Sequence, residues 1–268
     1  MSLILEHEAI TYGRLRQRQF FNGGKIMVTI KTRNITFPNI QAILFDKNGT
    51  LEDSEEYLRS LAQKAARIID AQVPGICEPL LMAFGINGSN LDPAGLIAVA
   101  SRRETEVAAA AYIAETGKGW FESLKIARQA LDEAEKYTGK TSSPLYPGSL
   151  EVLKSLSKAG LKLGILSAAT TAEVKEFVKF HQLSDYLQLE MGVDEGPGKP
   201  DPILFLQACQ KLGVEPSATL MIGDSVGDML LARNASSAGC IGITWIGRAD
   251  NVKGADVVIS QLDEIQLA

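Results

Sequence analysis

Five short apolar runs constrain this chain most. They are AILFD (42–46), KLGILS (162–167), ATLMIGD (218–224), CIGITW (240–245) and DVVIS (256–260), each bounded by polar or turn residues. Runs of this length without strict polar alternation are read as strands buried on both faces of a parallel sheet. Helical patterns separate the later ones. SLEVLKSLSKAG closes on Gly160, a C′ glycine, and is followed by TAEVKEFVKFHQL and DPILFLQACQKLG, the last with Asp201 as N-cap and Pro202 at the first helical position. Alternation of strand and helix predicts an α/β fold with a doubly wound, Rossmann-like parallel sheet.

The interval from 57 to 145 breaks this rhythm, because no convincing strand lies in it. Leu58, Leu61, Ala62, Ala65, Ile68 and Ile69 follow the spacing of one helix face. Asp92-Pro93 is expected to open a second helix, and Phe121, Leu124, Ala127, Leu131 and Ala134 mark a third that stops near Gly139. The predicted organisation is an N-terminal extension over 1–37, an α/β core over 38–56 and 146–268, and an all-helical cap inserted over 57–145. The extension has no clean amphipathic pattern. Met27, just after Gly23-Gly24, reads as a second possible start, so residues 1–26 are expected to be dispensable.

Composition removes several classes. The 268 residues are 46% hydrophobic and 22% charged, which is unlike a disordered or collagen-like chain. Mean hydropathy is +0.04, and no apolar stretch approaches the roughly 18–20 residues that span a bilayer. The N-terminus has acids before arginines, the reverse of a secretory signal. Cys77, Cys209 and Cys240 are far apart and form no CxxC pair, so neither a disulfide framework nor a zinc site is expected, and a reducing cytoplasm fits. A net charge of −5 and a pI near 5.3 argue against a nucleic-acid partner, though not against a small anionic substrate. The sequence does not fix an oligomeric state.

Chemistry gathers at the strand ends. One run ends on Asp46 in FDKNGTL, another on Ser167, and a third on Gly223-Asp224-Ser225 with Asp228 four residues beyond Asp224; Lys199 sits in the turn GPGKPDP. Ligands of open α/β sheets bind where such ends converge. Carboxylates, backbone carbonyls and waters suit Mg²⁺. A further carboxylate can act as nucleophile, and a hydroxyl, backbone N–H groups and a lysine can hold transferring phosphoryl oxygens.

In their order and spacing, Asp46-Lys47-Asn48-Gly49-Thr50-Leu51, Ser167, Lys199-Pro200 and Gly223-Asp224-Ser225-Val226-Gly227-Asp228 resemble the haloacid dehalogenase superfamily of hydrolases. The resemblance is to the helical-cap subgroup and its phosphoglycolate phosphatase-like branch, and spans roughly 40–260. It implies a phosphatase acting on a small phosphorylated metabolite through an aspartyl phosphate. Asp46 would be nucleophile and metal ligand, and the backbone carbonyl of Asn48 a second ligand. Ser167 and the N–H of Ala168 would bind phosphoryl oxygens, Lys199 would neutralise charge, and Asp224 and Asp228 would complete the Mg²⁺ site.

One position departs from the pattern. Phosphatases of this family usually carry an aspartate two residues after the nucleophile, as acid and base for the leaving alcohol; here it is Asn48. An amide exchanges no proton near neutral pH, so help worth about 10²–10⁴-fold is missing. The expected consequences are slow turnover suited to acyl or aryl phosphates, an acid borrowed from Glu52, Asp53 or the cap, or a long-lived aspartyl phosphate. Alternatives are a catalytically impaired phosphometabolite-binding or regulatory protein, and a phosphonate hydrolase using Lys64 or Lys118. Arg102, Arg103, Lys118 and Trp120 are further candidates for substrate contact from the cap. His181, at a helix end, is expected to be structural.

Overall fold

The structure is a computed structural model that describes residues 27–139, 143–245 and 249–268. In chain order its elements are β1 (Val28–Thr32), β2 (Ile35–Ile40), β3 (Ala42–Phe45), α1 (Glu55–Gln72), α2 (Cys77–Phe84), β4 (Ile86–Asn87), β5 (Asn90–Leu91), α3 (Leu96–Val99), α4 (Arg102–Glu115), α5 (Trp120–Thr138), α6 (Ser149–Lys158), β6 (Lys162–Leu166), α7 (Thr171–Phe180), β7 (Leu189–Met191), α8 (Ile203–Leu212), β8 (Thr219–Gly223), α9 (Val226–Asn234), β9 (Gly239–Ile243), β10 (Val257–Ile259) and β11 (Gln266–Leu267).

The central sheet has the order β10-β9-β8-β3-β6-β7, and every pairing in it is parallel. All five apolar runs fall in it. Side chains of β3 alternate between faces: Ile43 and Phe45 join Val152, Leu156 and Phe177 of α6 and α7, whereas Ala42 and Leu44 join Phe205, Ala208 and Met229 of α8 and α9. Helices therefore cover both faces, as the doubly wound reading expects.

The N-terminal boundary is corrected. Residues 28–37, expected within an extension, begin an antiparallel hairpin, β1 with β2, which β11 extends at its other edge. Ile30, Phe37 and Ile40 are buried in the same cluster as the central strands. The expectation for residues 1–26 falls outside the described residues.

Helices α1 to α5 lie between β3 and α6 and share a hydrophobic cluster of their own, including Ala62, Ile69, Phe84, Ile113 and Leu131. Two details differ from expectation. Residues 85–91 form the small hairpin β4–β5. Asp92-Pro93 makes a turn before the four-residue α3, and the longer helix α4 starts instead at Ser101, whose side chain forms a reciprocal capping box with Glu104. The two connections to this helical layer run side by side: Asp53 N–H donates to Pro144 O at 2.9 Å and Tyr146 N–H to Leu51 O at 2.9 Å.

Candidate active site

Parallel pairing places the C-terminal ends of β3, β6 and β8 side by side. Phe45 is in register with Ile165 and with Ile222, and neighbouring strands lie about 4.8 Å apart. The residues that follow, Asp46, Ser167 and Asp224, therefore meet at one edge.

Asp46, Asp224 and Asp228 each offer a carboxylate oxygen within 4.8 Å of the others. Lys199 Nζ donates to Asp46 Oδ1 at 2.5 Å. Its distance to Asp228 Oδ1 is 2.6 Å, an ion pair without hydrogen-bond alignment. The other oxygen of Asp228 is fixed by the capping box that opens α9, accepting from Ser225 Oγ at 2.6 Å. The loop carrying Lys199 is tied down by Asn234 Nδ2, which donates to Pro200 O at 3.0 Å. Asp201 Oδ1 accepts from Ile203 N–H at 2.9 Å, but α8 starts at Ile203 with Pro202 as its N-cap, one residue later than expected.

Close approach dictates two glycines. Gly49 has φ +73°, and a Cβ there would lie 2.1 Å from Asp224 Oδ2; a Cβ on Gly223 would lie 2.3 Å from Asp228 Cγ. Any side chain at either position would displace a carboxylate of the cluster.

Burial governs the electrostatics. It pushes the Asp46 carboxyl up to about 6 despite the opposing pull of Lys199, with Asp228 adding repulsion. Burial, with repulsion from Asp46 and Asp228, also lifts Asp224 well above the ordinary carboxylate range. Lys199 is raised in spite of its burial, because Asp228 and Asp46 favour its charge. One ammonium against three carboxylates leaves two negative charges, which one divalent cation would balance. The hard oxygen donors suit Mg²⁺, so the residues fit that ion.

Ser167 is buried, and its Oγ accepts from Ala169 N–H at 3.2 Å. With Ala168 it leads into α7, whose N-cap Thr170 forms a capping box with Glu173. A small cavity of about 70 Å³ joins Ala168 and Ala169 to Asn48 and, from the helical layer, to Arg102 and Glu135. A larger one of about 510 Å³ shares Lys47, Tyr57, Glu135 and Glu173 with it. A third, about 270 Å³, lies on the Gly49–Asp224 side against Tyr146 and Trp245.

The structure thus brings together Asp46, Asn48, Ser167, Ala168, Lys199, Asp224 and Asp228. Of the cap candidates only Arg102 reaches these cavities, and it is already engaged by Glu106, Asp132 and Glu135. Arg103 is exposed. Lys118 pairs with Glu122 at 2.7 Å, and Trp120 is exposed at the start of α5. The cavities are lined by the other end of that helix, at Asp132 and Glu135, roughly 18–22 Å away at 1.5 Å per residue. Lys118 and Trp120 are therefore set aside as substrate contacts. Lys64 donates to Tyr137 O at 3.0 Å, and with Lys118 remote, neither candidate lysine reaches Asp46. His181 Nε2 lies 3.0 Å from Ser143 O and holds the returning connection.

Sequence reasoning missed Lys47. Its buried Nζ donates to Asn48 Oδ1 at 2.6 Å and to Glu52 Oε2 at 2.6 Å, and it sits 5.5 Å from the Phe177 ring centroid. Its position inside the FDKNGTL motif was the available signal. Tyr57, half-buried beside it with its hydroxyl pKa raised by burial, gave none.

A haloacid dehalogenase-like hydrolase profile matches residues 40–236. A phosphoglycolate phosphatase of Vibrio vulnificus (strain YJ016) is 30% identical over 213 residues, covering 79% of this chain and 86% of the relative. The phosphoglycolate phosphatase of Escherichia coli (strain K12) is 24% identical over 239 residues, covering 85% and 92%. Among solved structures, a predicted phosphoglycolate phosphatase from Haemophilus somnus 129PT superposes with a TM-score of 0.64 at 21% identity, covering 83% of this chain and 95% of that one. A putative β-phosphoglucomutase from Thermotoga maritima gives 0.58 at 19% identity, covering 83% and 96%. With fold, site and profile in agreement, this chain belongs to the haloacid dehalogenase-like hydrolase family.

Proposed function

We propose that the protein is a Mg²⁺-dependent phosphatase of small phosphorylated metabolites, phosphoglycolate phosphatase-like in the sense of its curated relatives, working through an aspartyl phosphate on Asp46. The observation that carries this reading is the Asp46–Lys199–Asp228 contact beside Asp224 at the sheet edge. Asp46, Asp224, Asp228 and the backbone carbonyl of Asn48 would hold the ion, which when bound supplies charge neutralisation that lets an anionic phosphate approach.

This chain's own residues do the rest. Lys199 holds Asp46 Oδ1, leaving the second oxygen to attack phosphorus. The bond to phosphorus forms as the ester bond breaks, and the electron pair leaves on the departing oxygen. Ser167 and the N–H groups entering α7 bind phosphoryl oxygens. Water then attacks the phosphorus of the aspartyl phosphate, Asp46 is released as carboxylate, and the water's proton leaves with the phosphate product. The layer α1–α5 acts as a cap that excludes bulk water while the phosphoryl group is transferred to Asp46. Its Arg102 is a strut between α4 and α5 before it is a substrate ligand, because three carboxylates hold it. No described helix is long and apolar enough to cross a membrane; a cytoplasmic location is part of the proposal and rests on three cysteines without a disulfide framework.

Inorganic phosphate release from a panel of small phosphorylated metabolites, phosphoglycolate included, tests the reading with Mg²⁺ and with chelator. Activity lost on chelation and restored by Mg²⁺ is expected. Cation and phosphate binding without turnover of any substrate would instead favour a binding or regulatory protein that Asn48 has disabled.

A further inference from the structure

At the position where an acid–base aspartate would stand, the structure holds a locked amide. Lysine ammonium has three donors and no acceptor, so the Asn48 atom 2.6 Å from Lys47 Nζ must be the carbonyl oxygen. That settles the amide orientation chemically. Lys47 is itself pinned by Glu52 Oε2 at 2.6 Å, and Glu52 Oε1 accepts from Ser143 N–H at 3.1 Å. Lys47 and Glu52 are both buried. Among the described residues Asn48 Nδ2 donates to no acceptor, and Asn48 lines both the small cavity it shares with Ala168, Ala169 and the helical layer and the cavity on the Gly49–Asp224 side.

We infer that Lys47, braced by Glu52, is a positioning residue that turns the Asn48 amino group toward the leaving-group oxygen, so that this site assists phosphoesters whose leaving oxygen departs as an anion, acyl and aryl phosphates in chemical class. The inference rests on the phosphatase reading and narrows its substrate class: phosphoglycolate, an alkyl phosphate, is placed among the poor substrates although the curated relatives carry its name. In the transfer step the Asp46–phosphorus bond forms and the bond from phosphorus to the leaving oxygen breaks. That oxygen keeps the electron pair as carboxylate or phenolate, and no proton is transferred. An N–H donor can stabilise such an anion but cannot deliver a proton to an alkoxide.

The test is a leaving-group series in the holoenzyme, using acetyl phosphate, aryl phosphates of graded phenol acidity and alkyl phosphates. The wild type is compared with Lys47→Met/Glu52→Gln, Asn48→Ala and the triple variant; the paired change avoids stranding a buried charge. Wild-type kcat is expected to fall steeply as the leaving group becomes more basic, with alkyl phosphates about 10²–10⁴-fold below aryl ones. Freeing the amide should lower kcat for aryl phosphates by about tenfold with KM little changed, and Asn48→Ala should do the same. The triple variant should fall no further, because both changes remove one interaction. Retained binding of inorganic phosphate and Mg²⁺ certifies folding in each. Multiplicative losses, or an unchanged kcat when Lys47 is replaced, overturn the inference, as does equal use of alkyl and aryl phosphates. Asp46→Asn separates the two claims: activity surviving there defeats the phosphatase reading itself, whereas an inactive Asp46→Asn beside multiplicative losses defeats the role of Lys47 alone.

Discussion

Gly49→Ala isolates the close packing on which the site depends. The new Cβ would lie 2.1 Å from Asp224 Oδ2, whereas carbon and oxygen approach to about 3.3 Å without repulsion. Asp224 must therefore retreat by roughly 1 Å, and a displacement of that size at a reacting centre costs about 10²-fold. The backbone adds a second cost, since φ +73° imposes about 1–2 kcal/mol on a residue with a Cβ, a Tm loss of about 2–6 °C in a chain of this size. Gly88→Ala supplies the control: φ is +62° and nothing lies within 4 Å of its Cβ. Both variants should lose stability by thermal melt, Gly49→Ala the more because its Cβ also crowds Asp224. Only Gly49→Ala should lose about 100-fold in Mg²⁺-dependent phosphate release and weaken Mg²⁺ binding. Gly49→Ala at wild-type activity, or equal losses of activity in the two, would refute the reasoning.

Further outcomes follow from the same geometry. Lys199→Met strands Asp46 and Asp228, so it should cost about 3–5 kcal/mol by denaturant titration and remove measurable turnover. In the metal-free protein the raised Asp46 and Asp224 carboxyls bind protons that the unfolded chain has released. Their contribution to stability is therefore greatest in acid and falls as pH rises through about 6 for Asp46, so the Tm gain on adding Mg²⁺ should be larger near pH 7.5 than near pH 5. Arg102→Leu leaves Glu106, Asp132 and Glu135 without their shared partner; it should lower the melting temperature while shifting KM for aryl phosphates by less than about threefold, and a large KM rise would restore Arg102 as a substrate ligand.

The parts of the fold legible in the sequence were those with local signals. β3, β6, β8 and β9 are buried on both faces and, with the part-buried edge strand β10, read as apolar runs, and the helix stripes around Ala62 and Leu131 read by period. β7 escaped because it is three residues long at the sheet edge. The β1–β2 hairpin escaped for other reasons. Pro38 sits within β2, an edge strand where a missing donor is tolerated, and β1 pairs on its other side with β11 more than two hundred residues away. The clustered aspartates and Ser167 were legible because strand ends in a parallel sheet converge, and Lys199 because it sits in the turn GPGKPDP. The state of Asn48 was not, since its orientation depends on where the Lys47 and Glu52 side chains turn inside a nine-residue loop. Nor did the sequence reveal that the end of α5 bearing Asp132 and Glu135 approaches the site, rather than the end bearing Trp120; helix packing decides that.

Acid quench of a burst reaction with an aryl phosphate, followed by peptide mass mapping, shows whether Asp46 carries the phosphoryl group. A transient phosphoryl group is expected on the peptide containing Asp46, dependent on Mg²⁺ and absent in Asp46→Asn. Phosphate release with no protein-bound phosphoryl group, or with the group on any other residue, would contradict it.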